Sequence, residues 1–233
     1  MCGRYVLKAA LPDIARMLGM DADIAVDRAI DRDWDPSYNI APTRAVPACR
    51  IETPGRKQLA LLHWGLIPQW AKKSDASFRM INARAETVSE KPAFRSALRH
   101  RRCLIPADGY YEWKSMPGRK QPYYFSMKNS DPFCFAGLWE RWQPAEGEAV
   151  ESCAIITTGA NVLGAEIHHR MPVIMPTDDY DQWLDPQIKQ ADDVLPLLRP
   201  FPPQAMTVYP VSTLVNNARV DESRCITPLA DPA

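Results

Sequence analysis

A β-rich α+β fold, with a curved or barrel-like antiparallel core and peripheral helices, is expected from three observations. Short runs rich in branched and aromatic residues recur along the chain. Turn signals such as Pro54-Gly55, Asp108-Gly109 and Pro117-Gly118 separate them. Helical periodicity is confined to a few short stretches, which places helices around a sheet core rather than between strands. No repeat, low-complexity tract or linker divides residues 1–233, so one domain is expected.

In chain order, Pro12–Leu18 reads as a short helix with proline in its first turn. Residues 31–44, rich in Asp, Pro, Tyr and Asn, read as a loop. Ala45–Ile51 and Lys57–Trp64 read as strands joined through Pro54-Gly55, and Leu66–Ser77 as an irregular loop carrying Pro68 and Trp70. Pro92–His100 has Phe94, Ala97 and Leu98 near helical spacing. Strands are expected at Arg102–Ala107, Gly109–Lys114, Gln121–Met127, Phe133–Trp139, Ser152–Thr158 and Ala205–Val211. Ala160–Ala165, Asp178–Leu184 and Asp193–Leu198 read as helical.

Hydrophobic residues make up 46% of the chain and charged residues 24%, ordinary values for a globular protein with a buried core. No run of 18 apolar residues exists, which excludes a helical membrane span by sequence. The N-terminus lacks a basic segment followed by an apolar core, so a cytoplasmic location is expected. Cys2, Cys49, Cys103, Cys134, Cys153 and Cys225 are scattered without a Cys-x-x-Cys pair, which argues against a disulfide framework. None of the four histidines stands in zinc-ligand spacing with a cysteine, so no metal and no other cofactor is expected. Net charge is zero, yet Arg79–Arg102 carries seven Lys/Arg against two Glu, while Asp178–Asp193 carries six Asp and one Lys. The basic segment is either a local polyanion site or a solvated helix face.

Chemistry is concentrated at the N-terminus, which opens Met1-Cys2-Gly3-Arg4. The small side chain at position 2 allows Met1 to be trimmed, leaving a cysteine with a free amine beside its thiol. The amine has a pKa of about 7.7–8.0 and the thiol about 8.5, so both are partly nucleophilic near neutrality. Such a residue can attack an amide through sulfur, or condense with an aldehyde through nitrogen and close a thiazolidine through sulfur. A cysteine there could equally pack as a small apolar residue.

Three further segments combine polar residues with a strand-like setting. Glu112 lies between Tyr111 and Trp113, so alternation points it opposite to both. If the aromatics face solvent or a groove, Glu112 faces the interior, where desolvation would raise its pKa and suit it to acid–base work. His168, in His168-His169-Arg170, could shuttle protons or be an ordinary loop histidine. Asn82 and Arg84 would share a strand face, where Asn82 could fix a carbonyl or hydroxyl and Arg84 a phosphate, or the two could serve a turn and a surface ion pair.

Taken together, these segments resemble the SOS response-associated peptidase (SRAP) family, which handles abasic sites in DNA. The resemblance rests on Met1-Cys2-Gly3-Arg4, Tyr38-Asn39-Ile40-Ala41-Pro42, Trp64-Gly65-Leu66-Ile67-Pro68, Ile81-Asn82-Ala83-Arg84-Ala85-Glu86-Thr87, Arg102–Trp113, Ile167-His168-His169-Arg170-Met171-Pro172 and Val215-Asn216-Asn217. The resemblance implies that the Cys2 amine forms a Schiff base with the ring-opened sugar aldehyde and the Cys2 thiol closes a thiazolidine, linking protein to DNA. It implies proton transfer by Glu112, assistance by His168 at the imine or sugar hydroxyl, and orientation of Cys2 by Asn82. It also implies phosphate contacts from Arg4, Arg84 and Arg170, stacking by Trp70, and a groove lined by Asn39, Pro42 and Thr157.

The expected partner is single-stranded DNA, or a strand-to-duplex junction, with an abasic site and little base specificity. The protein is then expected to be nucleoid-associated when DNA-bound, and monomeric. A peptidase role, with Met1 removal its simplest case, and an adjacent abasic-site lyase role also follow from the resemblance. Two readings from other classes compete: a noncatalytic reader of single-stranded or modified DNA, and an N-terminal-nucleophile amidohydrolase. The second normally follows Cys-Gly with an apolar residue, where this chain has Arg4.

Overall fold

The structure is a computed structural model that describes residues 2–20, 35–53, 55–72 and 80–229. Strands β3 (Ala45–Thr53), β4 (Arg56–Trp64), β6 (Arg102–Ala107), β9 (Phe133–Trp142) and β10 (Val150–Gly159) close into a ring in the order β4-β3-β6-β9-β10, with β10 returning to β4. Closure removes free edges from these strands. It also explains why the apolar run Cys103–Ala107 of β6 is buried along its whole length. Gly137 on β9 is required by this packing: a Cβ there would sit 2.8 Å from Ile105 Cδ1 and 2.9 Å from Cys103 Sγ.

Short strands extend the ring at one end. β5 (Asn82–Arg84) runs parallel to β10, β11 (Arg170–Pro172) pairs antiparallel with β10, and β12 (Ile174–Met175) pairs with β9. A second sheet has the order β13 (Met206–Pro210), β8 (Arg119–Met127), β7 (Gly109–Met116), β1 (Tyr5–Leu7), β2 (Ser37–Ile40). The chain crosses between sheets at Asp108. Its buried carboxylate accepts the main-chain N–H groups of Lys8 at 2.6 Å and Ala9 at 2.9 Å, pinning the end of β1. Gly109 then lies where a Cβ would clash with the Tyr124 ring, so only glycine fits the crossing.

The main core fills the ring and the space between the sheets, where Tyr5 meets Trp64 and Phe135 edge-on at 5.3 and 5.7 Å. A smaller core of Val6, Tyr111, Tyr124, Val211, Val215 and Cys225 lies on the other face of the second sheet. The helices are short and peripheral: α1 (Leu11–Met17), α2 (Arg95–His100), α3 (Val162–Ala165) and α4 (Tyr180–Leu184). No helix among the described residues is long and apolar enough to cross a membrane.

The β-rich α+β expectation is met, with corrections. β10 runs parallel to both β4 and β5, so the core is not wholly antiparallel. Ser37–Ile40, expected as loop, is a strand because it pairs with β1 and buries Asn39 and Ile40; residues 31–34 of that expected loop lie outside the described residues, as do 73–77 of the next one. Ala191–Asp193 and Leu195–Leu197 are separate 3-10 turns rather than one helix, since Pro196 removes a donor. The basic segment is not one surface either. Arg102 is buried, its guanidinium donating to the carbonyls of Leu98, Trp183 and Asp185, and Arg101 pairs with buried Glu140.

Candidate active site

The N-terminal segment continues β1 along β7. Tyr5 pairs with Tyr110, Val6 with Gly109, and the Tyr111 N–H donates to Arg4 O at 3.0 Å. The same antiparallel register, carried one step beyond Arg4, sets Gly3 opposite Glu112. Glu112 therefore lies beside the N-terminal segment because its neighbour Tyr111 is bonded to Arg4.

Glu112 shares its strand face with Tyr110 and looks toward the ring, whereas Tyr111 and Trp113 belong to the second core. The alternation argument holds, but its premise needs correcting: Tyr111 is fully buried, not facing solvent or a groove. Glu112 is 4% exposed, and burial pushes its carboxyl up from the ordinary carboxylate range. Cys2 is also fully buried; burial, and then the nearby Glu112 charge, push its thiol well up.

Asn82 reaches the same point from the ring. It begins β5, opposite Ile155 of β10, and its Nδ2 donates to Cys2 O at 2.8 Å. Its Oδ1 is buried and has no hydrogen-bond partner among the described residues. An amide oriented by one end, with a free acceptor at the other, is suited to receive an amine, thiol or hydroxyl hydrogen.

His168 enters from the turn after α3. Asn161 caps that helix, accepting from Gly164 N at 2.9 Å, and His168 N closes the turn onto Gly164 O at 2.9 Å. His168 Nδ1 lies 4.0 Å from Glu112 Oε2, and the Arg170 N–H donates to that same nitrogen at 3.0 Å. Burial lowers the His168 pKa, so the ring is neutral near pH 7. Nδ1 also lies 3.2 Å from Arg170 O, but a main-chain N–H can only donate, so the shorter bond makes Nδ1 the acceptor and leaves the proton of the neutral ring on Nε2.

Cys2, Asn82, Glu112 and His168 thus converge from four segments. Arg84, Thr157 and Arg170 lie beside them on β5, β10 and β11: Arg84 is exposed, while Thr157 is fully buried and accepts the Arg170 guanidinium at both its carbonyl (2.6 Å) and its hydroxyl (3.2 Å). Trp70 is 64% exposed and rims an open pocket of about 670 Å³ that Asn82, Arg84, Lys91 and Phe94 also line.

Arg4 and Asn39 form a separate network. Arg4 Nη1 donates to Asn39 Oδ1 and to Val215 O, both at 2.6 Å. The Asn39 amide holds the carbonyls of Val215, Asn217 and Val220. Pro42 lies on the turn from β2 to β3, next to Thr43, whose φ of 74° is unusual for a branched residue. Among the described residues no cluster of His, Cys, Asp and Glu could hold a metal ion.

A family model described as SOS response associated peptidase (SRAP) matches residues 1–218. The chain belongs to the SRAP family. It is 42% identical over 220 residues to the abasic site processing protein YoqW of Bacillus subtilis (strain 168), covering 94% of this chain and 96% of that one. It is also 42% identical to YoaM, an abasic site processing protein of the same organism, covering 94% of each. A crystal structure of a Bacteroides thetaiotaomicron protein superposes with a TM-score of 0.87 at 27% identity, covering 98% of this chain and all of that one.

Two features of this SRAP site escape a reading of motifs. Glu86 stands within the Ile81–Thr87 segment but is exposed, and only its contact with Arg170 across the fold reveals it. Asn216, in Val215-Asn216-Asn217, accepts from Trp113 Nε1 at 2.7 Å and so ties the C-terminal segment to the strand that bears Glu112.

Proposed function

We propose that this protein processes abasic sites in single-stranded DNA by attaching itself to them through Cys2. The observation that carries the reading is the convergence on residue 2: Asn82 holds its carbonyl, Glu112 lies beside it, and His168 stands 4.0 Å beyond Glu112. The relatives named as abasic site processing proteins support it.

The chemistry follows from the protonation states. While Met1 is attached, the Cys2 nitrogen is an amide and not a nucleophile, so Met1 removal, by the chain itself or by an aminopeptidase, comes first. The thiol is held protonated by burial and by Glu112, so the neutral amine attacks the sugar aldehyde ahead of sulfur. Loss of water gives the imine. The thiol sulfur then adds to the imine carbon while its proton passes, with Glu112 as relay, to the nitrogen. The product is a thiazolidine, and one water has been released overall. His168 presents Nε2–H to the ring oxygen O4′, which takes up a proton as the C1′–O4′ bond breaks while the C1′ hydroxyl gives up its proton to become the aldehyde.

The strand is held by stacking and by phosphate contacts. Trp70 and Arg84 are the exposed groups at the pocket beside Asn82. Arg4 contributes from a partly buried position held by Asn39, with Pro42 on the turn nearby, whereas the Arg170 guanidinium is taken up by Glu86 and Thr157 and supports the site from behind.

Intact mass spectrometry tests the reading. Protein confirmed to lack Met1, mixed with a single-stranded oligonucleotide carrying one abasic site, is expected to give a denaturant-resistant species of protein plus DNA minus one water. Undamaged DNA and the Cys2→Ala protein should give none. Absence of the adduct from Met1-free wild type would refute it.

A further inference from the structure

Arg170 has an unexpected environment for a phosphate hook. Its Nη1 and Nη2 donate to Glu86 Oε1 at 2.6 Å and Oε2 at 3.0 Å, a two-point fork, and Nη2 also donates to the Thr157 carbonyl at 2.6 Å. The Arg170 side chain is only 11% exposed, whereas that of Glu86 is 51% exposed. The carboxylate therefore reaches inward from the turn after β5 to hold a nearly buried guanidinium. Such a planar fork fixes orientation as well as distance.

What Arg170 does with its main chain gives the clamp a purpose. Its N–H is the donor to His168 Nδ1. The segment around it is otherwise held by β11 pairing, in which Gly159 stands opposite Arg170, and by Ala160 N donating to His169 O at 3.0 Å. Arg170 is the first residue of β11, so its side-chain anchor decides how firmly that end is held. His168 precedes it in the turn after α3, where its N–H donates to Gly164 O at 2.9 Å.

We propose that Glu86 is a positioning residue for His168: by clamping the Arg170 side chain it fixes the Arg170 N–H, which sets the tautomer and orientation of the histidine ring. The catalytic consequence rests on the crosslinking reading above; the structural one does not. Glu86 touches neither Cys2 nor the reacting sugar in this scheme, and its effect passes through Arg170 alone.

Glu86→Ala and Glu86→Gln in Met1-free protein test the proposal by two readouts. The first is single-turnover crosslinking to an abasic oligonucleotide across a range of DNA concentrations. A misplaced catalytic group costs up to about 100-fold, and for Glu86→Ala a loss of about tenfold in maximal rate is expected, with less than about twofold change in half-saturating DNA. Glu86→Gln, which keeps one acceptor for the fork, should recover part of that loss. The second readout is the ¹⁵N spectrum of His168: in wild type the unprotonated nitrogen should be Nδ1, and in Glu86→Ala the two nitrogens should move toward averaged signals.

An unchanged maximal rate with an unchanged His168 spectrum would overturn the proposal. So would weakened DNA binding with an unchanged His168 spectrum, which would assign Glu86 to binding only. If wild type makes no crosslink, the proposed function falls, while the His168 spectrum still decides whether Glu86 positions the ring. Glu86 is exposed on a turn, and a melting curve on each variant establishes that the fold is retained.

Discussion

Asn82 Nδ2 donates to the carbonyl of Cys2 at 2.8 Å, joining an edge strand of the ring to the N-terminal segment of the second sheet. The bond fixes the N-terminus against the site and leaves Asn82 Oδ1 buried and available as an acceptor. Asn82→Ala removes both functions. Crosslinking by Met1-free protein should slow by about 10–100-fold at saturating DNA, the scale of a misoriented reactant. Asn82→Asp should be no better, because a carboxylate cannot donate to the Cys2 carbonyl. A single-turnover gel assay on both variants measures this, and a wild-type rate in either would remove Asn82 from the mechanism.

Glu112 couples activity to instability. Its folded-state pKa is raised by burial, so the native chain binds this proton more tightly than the unfolded chain does. Stability is therefore fully present below the unfolded value and is lost as pH rises through the folded one. Glu112→Gln, a neutral mimic of the protonated acid, should melt higher than wild type at pH 7, by about 2–4 °C for each kcal/mol gained. The difference should vanish at pH 4 and below. The same variant should lose the acid limb of the crosslinking rate profile, since that limb reports ionisation of the relay. An equal melting temperature at pH 7 would mean that Glu112 is not destabilised by its burial.

Trp70 and Arg84 act on DNA in separable ways. Stacking contributes about 1–3 kcal/mol per base, so Trp70→Ala should weaken binding of undamaged single strands by roughly 5–150-fold with little change in salt dependence. Arg84→Ala should reduce the slope of log affinity against log salt by about 1, with a smaller loss of affinity at high salt. Fluorescence anisotropy titrations at several salt concentrations distinguish the two. A salt slope unaltered in Arg84→Ala would place the phosphates elsewhere.

Arg102 carries a prediction about stability alone. Its guanidinium donates to the carbonyls of Leu98, Trp183 and Asp185, joining α2 and α4 to the ring. Arg102→Ala leaves three carbonyls without their donor, and should cost about 2–4 kcal/mol in chemical denaturation, with crosslinking unaffected wherever the protein is folded. Arg102→Lys should recover only part, because a point charge cannot satisfy three divergent acceptors.

The long strands and most turns were legible in the sequence because branched and aromatic runs are punctuated by Pro-Gly, Asp-Gly and similar signals. What periodicity does not carry is pairing over long separations. Tyr5–Leu7 is short and becomes a strand because β7 supplies a partner more than a hundred residues away, and Ser37–Ile40 because it pairs with Tyr5–Leu7 in turn. Parallel pairing of β10 with β5 is likewise a tertiary fact. At the site, alternation correctly turned Glu112 away from its aromatic neighbours, but could not show that Tyr111 enters a second core. Arg102 and Arg84 belong to one basic run in sequence, yet one is buried and the other exposed. Only packing separates them.

Removing the thiol while keeping the amine tests the order of the covalent steps. In Met1-free Cys2→Ala the N-terminal nitrogen remains a primary amine beside Glu112, and it can still condense with the sugar aldehyde. Without sulfur the imine cannot close to a thiazolidine. An imine at C1′ acidifies the C2′ proton, and its abstraction expels the 3′ phosphate by β-elimination, cutting the strand. Wild type drains the same imine into the ring and so suppresses the cut. Cys2→Ala should therefore yield no stable adduct, give a covalent species when borohydride reduces the imine, and nick abasic DNA faster than wild type. If borohydride traps nothing and the strand stays intact, the amine does not attack first, and sulfur must lead.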